Sequence, residues 1–310
     1  MKKFSLVLIF IASLPLALSA QNGKYEAVPF SRLERNPASL GMGTAGFADL
    51  ETVSWASFRN AALVSLSDKK LDVAAAWTGW APSFPDGLSH HINAGLSLKL
   101  GAFGITAGAS YMPGKPYDVV YESGISGGKF TPTDLQANIG ASYAFLDFLS
   151  VGLNARFLSQ SLAPERTYST FAGDLSLAYH QGGLTASAGI SNVGLPLTSN
   201  DGTQYPIPTS ATLGASYLFS FAQNHAVKAA LDFDYFFAGH LTFAAGVQYT
   251  AFDMFSVRAG YHFGTEGAVL PSFLCLGAGV KVFGIRLDVS YITANSLLGN
   301  TLTAGLAYSF

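Results

Sequence analysis

The chain closes on T-L-T-A-G-L-A-Y-S-F, residues 301–310. In steps of two, Phe310, Tyr308, Leu306, Ala304 and Leu302 share one face, while Ser309, Ala307, Gly305, Thr303 and Thr301 share the other. A period of two is that of a β-strand. A terminal strand frays unless another element pairs it, and this one carries an aromatic as its last residue and no polar tail. It is expected to complete a sheet begun elsewhere in the chain.

The same alternation recurs from residue 71 onward. Leu149, Val151, Leu153, Ala155 and Phe157 alternate with Ser150, Gly152, Asn154 and Arg156, and Phe283, Ile285, Leu287, Val289 and Tyr291 with Gly284, Arg286, Asp288 and Ser290. Segments of this kind fall at 71–78, 90–100, 103–112, 133–145, 148–158, 169–180, 183–193, 208–219, 225–236, 240–251, 254–263, 272–282, 283–292 and 300–310, fourteen in all. One face of each suits hydrocarbon. The other is Gly, Ser, Ala, Thr and Asn, a composition for a narrow lumen rather than for the charged outer face of a soluble sandwich. An even number of segments about ten residues long is the pattern of a bacterial transmembrane β-barrel.

The connections support this reading, because such barrels pair short periplasmic turns with longer outer loops. Short links at 101–102, 146–147, 181–182, 220–224, 252–253 and 283–284 alternate with longer ones at 79–89, 113–132, 159–168, 194–207, 264–271 and 293–299; only 237–239 breaks the rule. The parity predicts both termini in the periplasm, with the last strand pairing the first so that no sheet edge is left open. Trp77, Trp80, Tyr143, Tyr179, Tyr217, Tyr249 and Tyr308 fall near strand ends, as aromatic girdles do. Leu306, Tyr308 and Phe310 on the lipid face resemble the signal read by the barrel-assembly machinery of the outer membrane.

Composition agrees. Only 12% of residues are charged and 49% are apolar, against about a quarter charged in soluble domains. Beyond the first twenty residues no apolar run reaches the length of a spanning helix. Those twenty, with Lys2 and Lys3 ahead of the apolar run Phe4 to Leu18 and the small residues Ala17, Ser19 and Ala20, read as a signal peptide, residues 1–20. Its removal leaves 15 basic against 19 acidic side chains, which gives no basic surface for nucleic acid. Cys275 is the one cysteine, so intramolecular disulfides are excluded. The architecture expected is an all-β, 14-stranded antiparallel transmembrane β-barrel, residues 71–310, in the bacterial outer membrane and in contact with its lipid.

Residues 21–70 do not alternate. Glu26, Arg32, Glu34, Arg35, Asp49, Glu51 and Arg59 make this stretch too polar for lipid. It is expected to fold into the lumen as a hatch, since small side chains do not fill a fourteen-strand barrel. Gly41-Met42-Gly43-Thr44-Ala45-Gly46 matches the dinucleotide pattern G-x-G-x-x-G. No strand, helix and βαβ unit surround it, so the glycines are expected to let the backbone turn in a confined space.

The runs V-P-F at 28–30, N-P-A-S-L-G-M-G-T-A-G-F-A at 36–48 and S-W-A-S-F-R-N-A-A-L at 54–63 resemble the N-terminal segment of PorV/PorQ-type outer-membrane proteins, within the broader group that includes the FadL fatty-acid channels. The resemblance implies a fourteen-stranded barrel with an N-terminal hatch, whose motif residues would be Gly41, Met42, Gly43, Gly46 and Asn60. It implies either an accessory or scaffold of type IX-like protein secretion, with secretion subunits or secreted cargo as partners, or a passive channel for a small hydrophobic ligand entering past Trp80, Phe84, Tyr117, Val119 and Val120. This chain has Asn60-Ala61-Ala62 where the type usually has Asn-Pro-Ala, and its outer loops are shorter.

Inward parity gathers Lys228, Asp232, Asp234, Arg258, Lys281, Arg286 and Asp288 on adjacent strands. Two readings follow: a polar constriction or ligand wall, or a salt-bridge ladder that anchors the hatch through Arg32, Glu34, Arg35 or Arg59. The second is favoured, because such pairs rigidify a wet lumen at little cost. His91, His180 and His262 also point inward, but without metal-ligand spacing. No nucleophile elbow appears and Cys275 has no base beside it in sequence, so neither catalysis nor a cofactor is expected.

Overall fold

The computed structural model describes residues 26–80, 89–121, 124–199, 202–221, 223–293, 296 and 298–310. The signal peptide and Phe84 lie outside these residues. In chain order the strands are β1 (Leu71–Trp80), β2 (Ser89–Leu100), β3 (Phe103–Pro113), β4 (Tyr117–Val120), β5 (Ser126–Phe130), β6 (Thr133–Leu146), β7 (Leu149–Ala163), β8 (Arg166–Gln181) and β9 (Leu184–Gly194). They continue as β10 (Leu197–Thr198), β11 (Gln204–Tyr205), β12 (Ser210–Ser220), β13 (His225–Phe236), β14 (Leu241–Ala251), β15 (Phe255–Gly264), β16 (Phe273–Val282), β17 (Ile285–Thr293) and β18 (Leu302–Ser309). Fourteen of them close into one antiparallel barrel, while β4–β5 and β10–β11 form two small hairpins in the connections.

Closure is made by the stretch that ends the chain. Asp72 pairs with Ser309 and the register runs unbroken to Gly79 opposite Leu302. Phe310 extends the seam, its N–H donating to the Leu71 carbonyl at 3.0 Å and its own carbonyl accepting from Lys70 and Leu71. Short turns hold the neighbouring strands at the same end. Between β16 and β17 the turn is Phe283-Gly284, both left-handed (φ 51° and 79°), the geometry that matches strand twist in a two-residue hairpin. Leu153, Leu213, Val257, Leu276 and Leu306 stand on the outer face, each more than half exposed. Thr106, Gln136, Ser150, Ser290 and Thr303 alternate with such positions and are buried against the lumen. The wall's strands pair into a closed ring with no free edge and its exterior is apolar, which is what hydrocarbon requires of a spanning sheet.

Two expectations about the wall are corrected. The stretch 159–168 is no loop, because β7 and β8 run through it to a turn at 164–165. Serines and threonines pair there across the ladder, Ser169 with Ser159 at 3.0 Å and Ser161 with Thr167 at 2.9 Å. The outer face there is Ser159, Ser161, Thr167 and Ser169, so no apolar-outward alternation marks the strands. The wall is therefore raised on that side of the mouth. Trp80 is no girdle residue: it points inward, 3% exposed, and packs with Leu40, Leu270, Phe273 and Ile292.

The hatch fills the lumen. It comprises a 3-10 turn Pro29–Arg32, a helix Pro37–Leu40 capped by the Asn36 side chain, a 3-10 stretch Leu50–Phe58 kinked at Thr52, and a helix Ala62–Leu66. Nearly every residue from Leu33 onward in this segment is buried. It enters at the long-connection end, where the Ala27 N–H donates to the Pro206 carbonyl at 2.8 Å and Val28 and Phe30 pack on Leu158, Leu197 and Ile207. It leaves at the short-turn end, where Lys70 passes into β1 and its carbonyl accepts from Lys99. Glu26 and Phe310 thus sit at opposite mouths. The described part of the hatch therefore crosses the lumen once before β1, and the amino-terminal half of the expectation that both termini share one side falls on residues outside those described.

Candidate functional site

The seam between hatch and wall gathers most of the residues that the sequence singled out. Gly43 has φ 73°, and a Cβ there would lie 2.5 Å from the Tyr261 carbonyl oxygen; at the facing wall residue Gly260 it would lie 2.1 Å from the Met42 carbonyl carbon. Backbone meets backbone at this point, which only glycine permits. Met42 packs into the gap between Ala230 and Ala244. Gly41 faces Gly277 and Ser290, and Gly46 lies against Ser39. Asn60 ties two hatch segments, its amide donating to the Phe47 carbonyl at 2.8 Å and its oxygen accepting from the Ala62 N–H at 3.1 Å. The glycine run sits in no βαβ unit; it is the hatch's contact with β15 and β16.

The charges form the ladder rather than an open constriction. Arg59 reaches two carboxylates at once, Glu34 at 3.1 Å and Asp232 at 2.8 Å. The same Asp232 oxygen accepts the backbone N–H groups of Gly46 and Phe47, both at 2.8 Å. Arg32 donates to Asp234 at 3.2 Å, and Thr212 and Thr242 donate to that carboxylate from the wall. Lys228 meets Asp49 at 2.8 Å and also Glu51. Asp288 lies between Arg258 at 2.7 Å and Arg286 at 2.8 Å, and Arg286 also donates to the Glu51 carbonyl. Lys228, Asp232 and Asp234 thus find their partners on the hatch, while Arg258, Arg286 and Asp288 pair within the wall. Lys281 is not in the network: it is exposed at the short-turn mouth, opposite Arg286 in the register.

Sequence reasoning missed several members. Arg156 pairs with Asp174 and donates to the Phe58 carbonyl at 2.7 Å. Gln136 accepts at 2.6 Å from Arg35, itself one of the expected anchors, whose guanidinium also stacks over Phe58. Lys69 meets Asp72 at 2.9 Å. Inward parity was the available signal for Arg156, Asp174, Gln136 and Asp72. Cys275, fully buried, accepts the Gly43 N–H at 2.9 Å and donates to the Gly260 carbonyl at 3.2 Å, which makes it part of the hatch seat. His262 binds Thr44 at 2.9 Å, and His91 lies between Trp80 at 3.2 Å and Ser110 at 2.6 Å. Among the described residues no three His, Cys, Asp or Glu groups are placed to hold a metal.

At the long-connection mouth, Glu26 lies 3.6 Å from His240, which stacks on Phe236; Arg32 covers the same ring. Burial pushes the Glu26 carboxyl up to about 7, against the pull of Arg32, and lowers His240. Space differs sharply between lumen and mouth. A cavity bounded by Arg32, Thr44, Arg59, Asp234 and His262 holds about 30 Å³. A pocket at the mouth, lined by Ala27, Gln160, Leu162, Tyr168, Leu197, Ser199 and Tyr205, holds about 300 Å³.

No protein-family model and no curated protein matches this chain. Among solved structures it is similar to the toluene transporter TodX of Pseudomonas putida, 16% identical, over 89% of this chain and 98% of that one, with a TM-score of 0.62. It is likewise similar to the toluene transporter TbuX of Ralstonia pickettii, 16% identical, over 88% and 97% of the two chains, with a TM-score of 0.59. At that identity the likeness is one of fold.

Proposed function

We propose that this chain is a non-enzymatic channel of the bacterial outer membrane that admits small hydrophobic molecules at its long-connection mouth, with the hatch as its gate. The observation that carries the reading is the shared fold: this closed fourteen-strand barrel is similar to two toluene transporters over nearly their whole lengths. The apolar exterior supports residence in lipid, and the short-turn end, with Phe310, is the periplasmic one by the usual asymmetry of loops. Residues 1–20 would direct export, and Leu306, Tyr308 and Phe310 would be read by the assembly machinery. The hatch motif Gly41 to Gly46 and the charge ladder serve as seat and latch of the gate. Labelled toluene taken up by cells whose outer membrane lacks other hydrocarbon channels tests it. Expression of this chain should raise the uptake rate, and an unchanged rate defeats the reading.

The secretion-accessory role implied by the hatch sequence is a second reading. It draws support from the tightness of the plug, since a cavity of about 30 Å³ amid the charged side chains of Arg32, Glu34, Arg59 and Asp234 offers no path to an apolar solute while the hatch is seated. Co-purification of secretion subunits from the native membrane, without hydrocarbon uptake, would favour it.

A further inference from the structure

The short-turn mouth, where the hatch leaves the barrel, holds a space of its own. A pocket of about 400 Å³ lies there between Glu51, Thr52 and Lys69 of the hatch and the ends of β12 to β17. That volume is within the range of small-molecule sites. Its lining is charged, and the charges are unevenly matched.

Arg286 on β17 stands directly opposite Lys281 on β16, and both line the pocket. Like charges placed opposite one another destabilise a sheet, and an anion between them relieves the cost. The carboxylate of Asp288 serves the two guanidinium groups only, accepting from Arg258 Nη1 at 2.7 Å and from Arg286 Nε at 2.8 Å. Gly279 leaves room for that contact, since a Cβ there would press on Asp288 Oδ1 and on Arg258 Nη1. Arg258 Nε donates to Gln248 and Arg286 Nη1 to the Glu51 carbonyl. Among the described residues no acceptor reaches the Nη2 of either arginine or the Nζ of Lys281. The remaining carboxylates of the lining do not supply one. Glu51 accepts from Lys228 and Gln248, and Asp253, exposed on the turn between β14 and β15, forms no ion pair among the described residues. Over the lining, Lys69, Arg258, Lys281 and Arg286 stand against Glu51, Asp253 and Asp288, a surplus of one positive charge. Leu218 and Ala226 add apolar surface to the same space.

We infer that this pocket binds a small organic carboxylate, its anionic group held by Lys281 and by the free nitrogens of Arg258 and Arg286, its apolar body resting on Leu218 and Ala226. A cation would meet the surplus positive charge, and a neutral alcohol would leave the donors without a charged acceptor. On the orientation proposed above, the site faces the periplasm, at the far end from solute entry. It stands whether the chain serves as channel or as secretion accessory, because none of its residues belongs to the long-connection mouth.

The test is equilibrium dialysis of radiolabelled butyrate against the full chain in nanodiscs of zwitterionic lipid, with empty nanodiscs as blank and unlabelled butyrate, butanol, butylamine and phosphate as competitors. Butyrate should displace the label at least about tenfold more effectively than butanol, as charge-assisted bonds to several donors imply, and more effectively than phosphate, which has no apolar body; butylamine should not compete. Lys281→Gln, at an exposed position outside the hatch ladder, should weaken binding about threefold to fivefold, the size of one exposed ion pair, while Lys281→Arg should retain it. Asp253→Asn, which removes a competing negative charge, should strengthen binding about twofold. Each variant is first checked for folded migration on an unheated gel. Absence of saturable binding above the blank, equal competition by butanol, or an unchanged affinity in Lys281→Gln overturns the site. Phosphate competing as well as butyrate shows that charge alone fills it and overturns the carboxylate assignment.

Discussion

Asp232 is the wall residue on which the centre of the hatch depends. One of its oxygens accepts three hatch donors, the Gly46 and Phe47 N–H groups and the Arg59 guanidinium, each at 2.8 Å, and the side chain is 2% exposed. Asp232→Ala removes this acceptor from all three in a buried site. Truncating one partner of a buried ion pair costs about 3–5 kcal/mol. Arg59 keeps Glu34, so the lower end, about 3 kcal/mol, applies to seating the hatch. At about 1.4 kcal/mol per factor of ten, the unseated population should rise on the order of a hundredfold. Cys275 reports it, because its sulfur is fully buried beneath Gly43, three residues before Gly46. The assay is the rate of Cys275 alkylation by a charged maleimide at fixed pH, in barrels verified as folded by unheated gel migration. Asp232→Ala should speed labelling about a hundredfold, and Asp232→Asn, which keeps an oxygen for the two N–H groups, about tenfold. A change below about threefold in Asp232→Ala would refute the claim that this carboxylate latches the hatch.

Other outcomes follow from the same geometry. Leu306→Lys places a charge on the lipid face and costs roughly 2–4 kcal/mol at mid-membrane, so the chain should fail to reach the heat-modifiable folded form; Ser309→Lys, facing the lumen at the rim, should reach it. Gly260→Ala would set a methyl group 2.1 Å from the Met42 carbonyl carbon, and Cys275 labelling should accelerate while the barrel stays closed. The Glu26 carboxyl, pushed up to about 7, binds its proton more tightly in the seated hatch than in free chain. Its contribution is therefore full at pH 4 and is lost as pH rises toward and through 7. Amide exchange of residues 26–32 should quicken from pH 6 to pH 8 beyond the intrinsic rate, and Glu26→Gln should abolish the excess.

The wall was legible because a strand between hydrocarbon and a polar lumen must change chemistry at every residue, as Leu149 to Phe157 do. The same contrast placed Asp232, Arg258 and Asp288 inward correctly. It failed where the outer face meets water, so residues 159–168 read as loop and, apart from the turn at 164–165, are strand. It failed again for Trp80, because proximity to a strand end says nothing about which face an aromatic takes. Lys281 has the right parity but lies at the mouth, where no hatch residue arrives to pair it. The partners of Lys228 were not legible at all, since Asp49 and Glu51 lie some 180 residues away and nothing local links them.

By itself the sequence determined a fourteen-strand barrel closed by its own last strand, and a polar amino-terminal segment that lipid would not accept. Those conclusions rest on a contrast between solvents that each residue expresses locally. Only the tertiary structure decided how the hatch crosses the lumen, which mouth it enters, and which of its groups meets which carboxylate. Pairing inside a plug depends on where the backbones come close enough to bring donors to acceptors, as Gly43 and Gly260 do, and that distance belongs to the packed whole rather than to any stretch of chain.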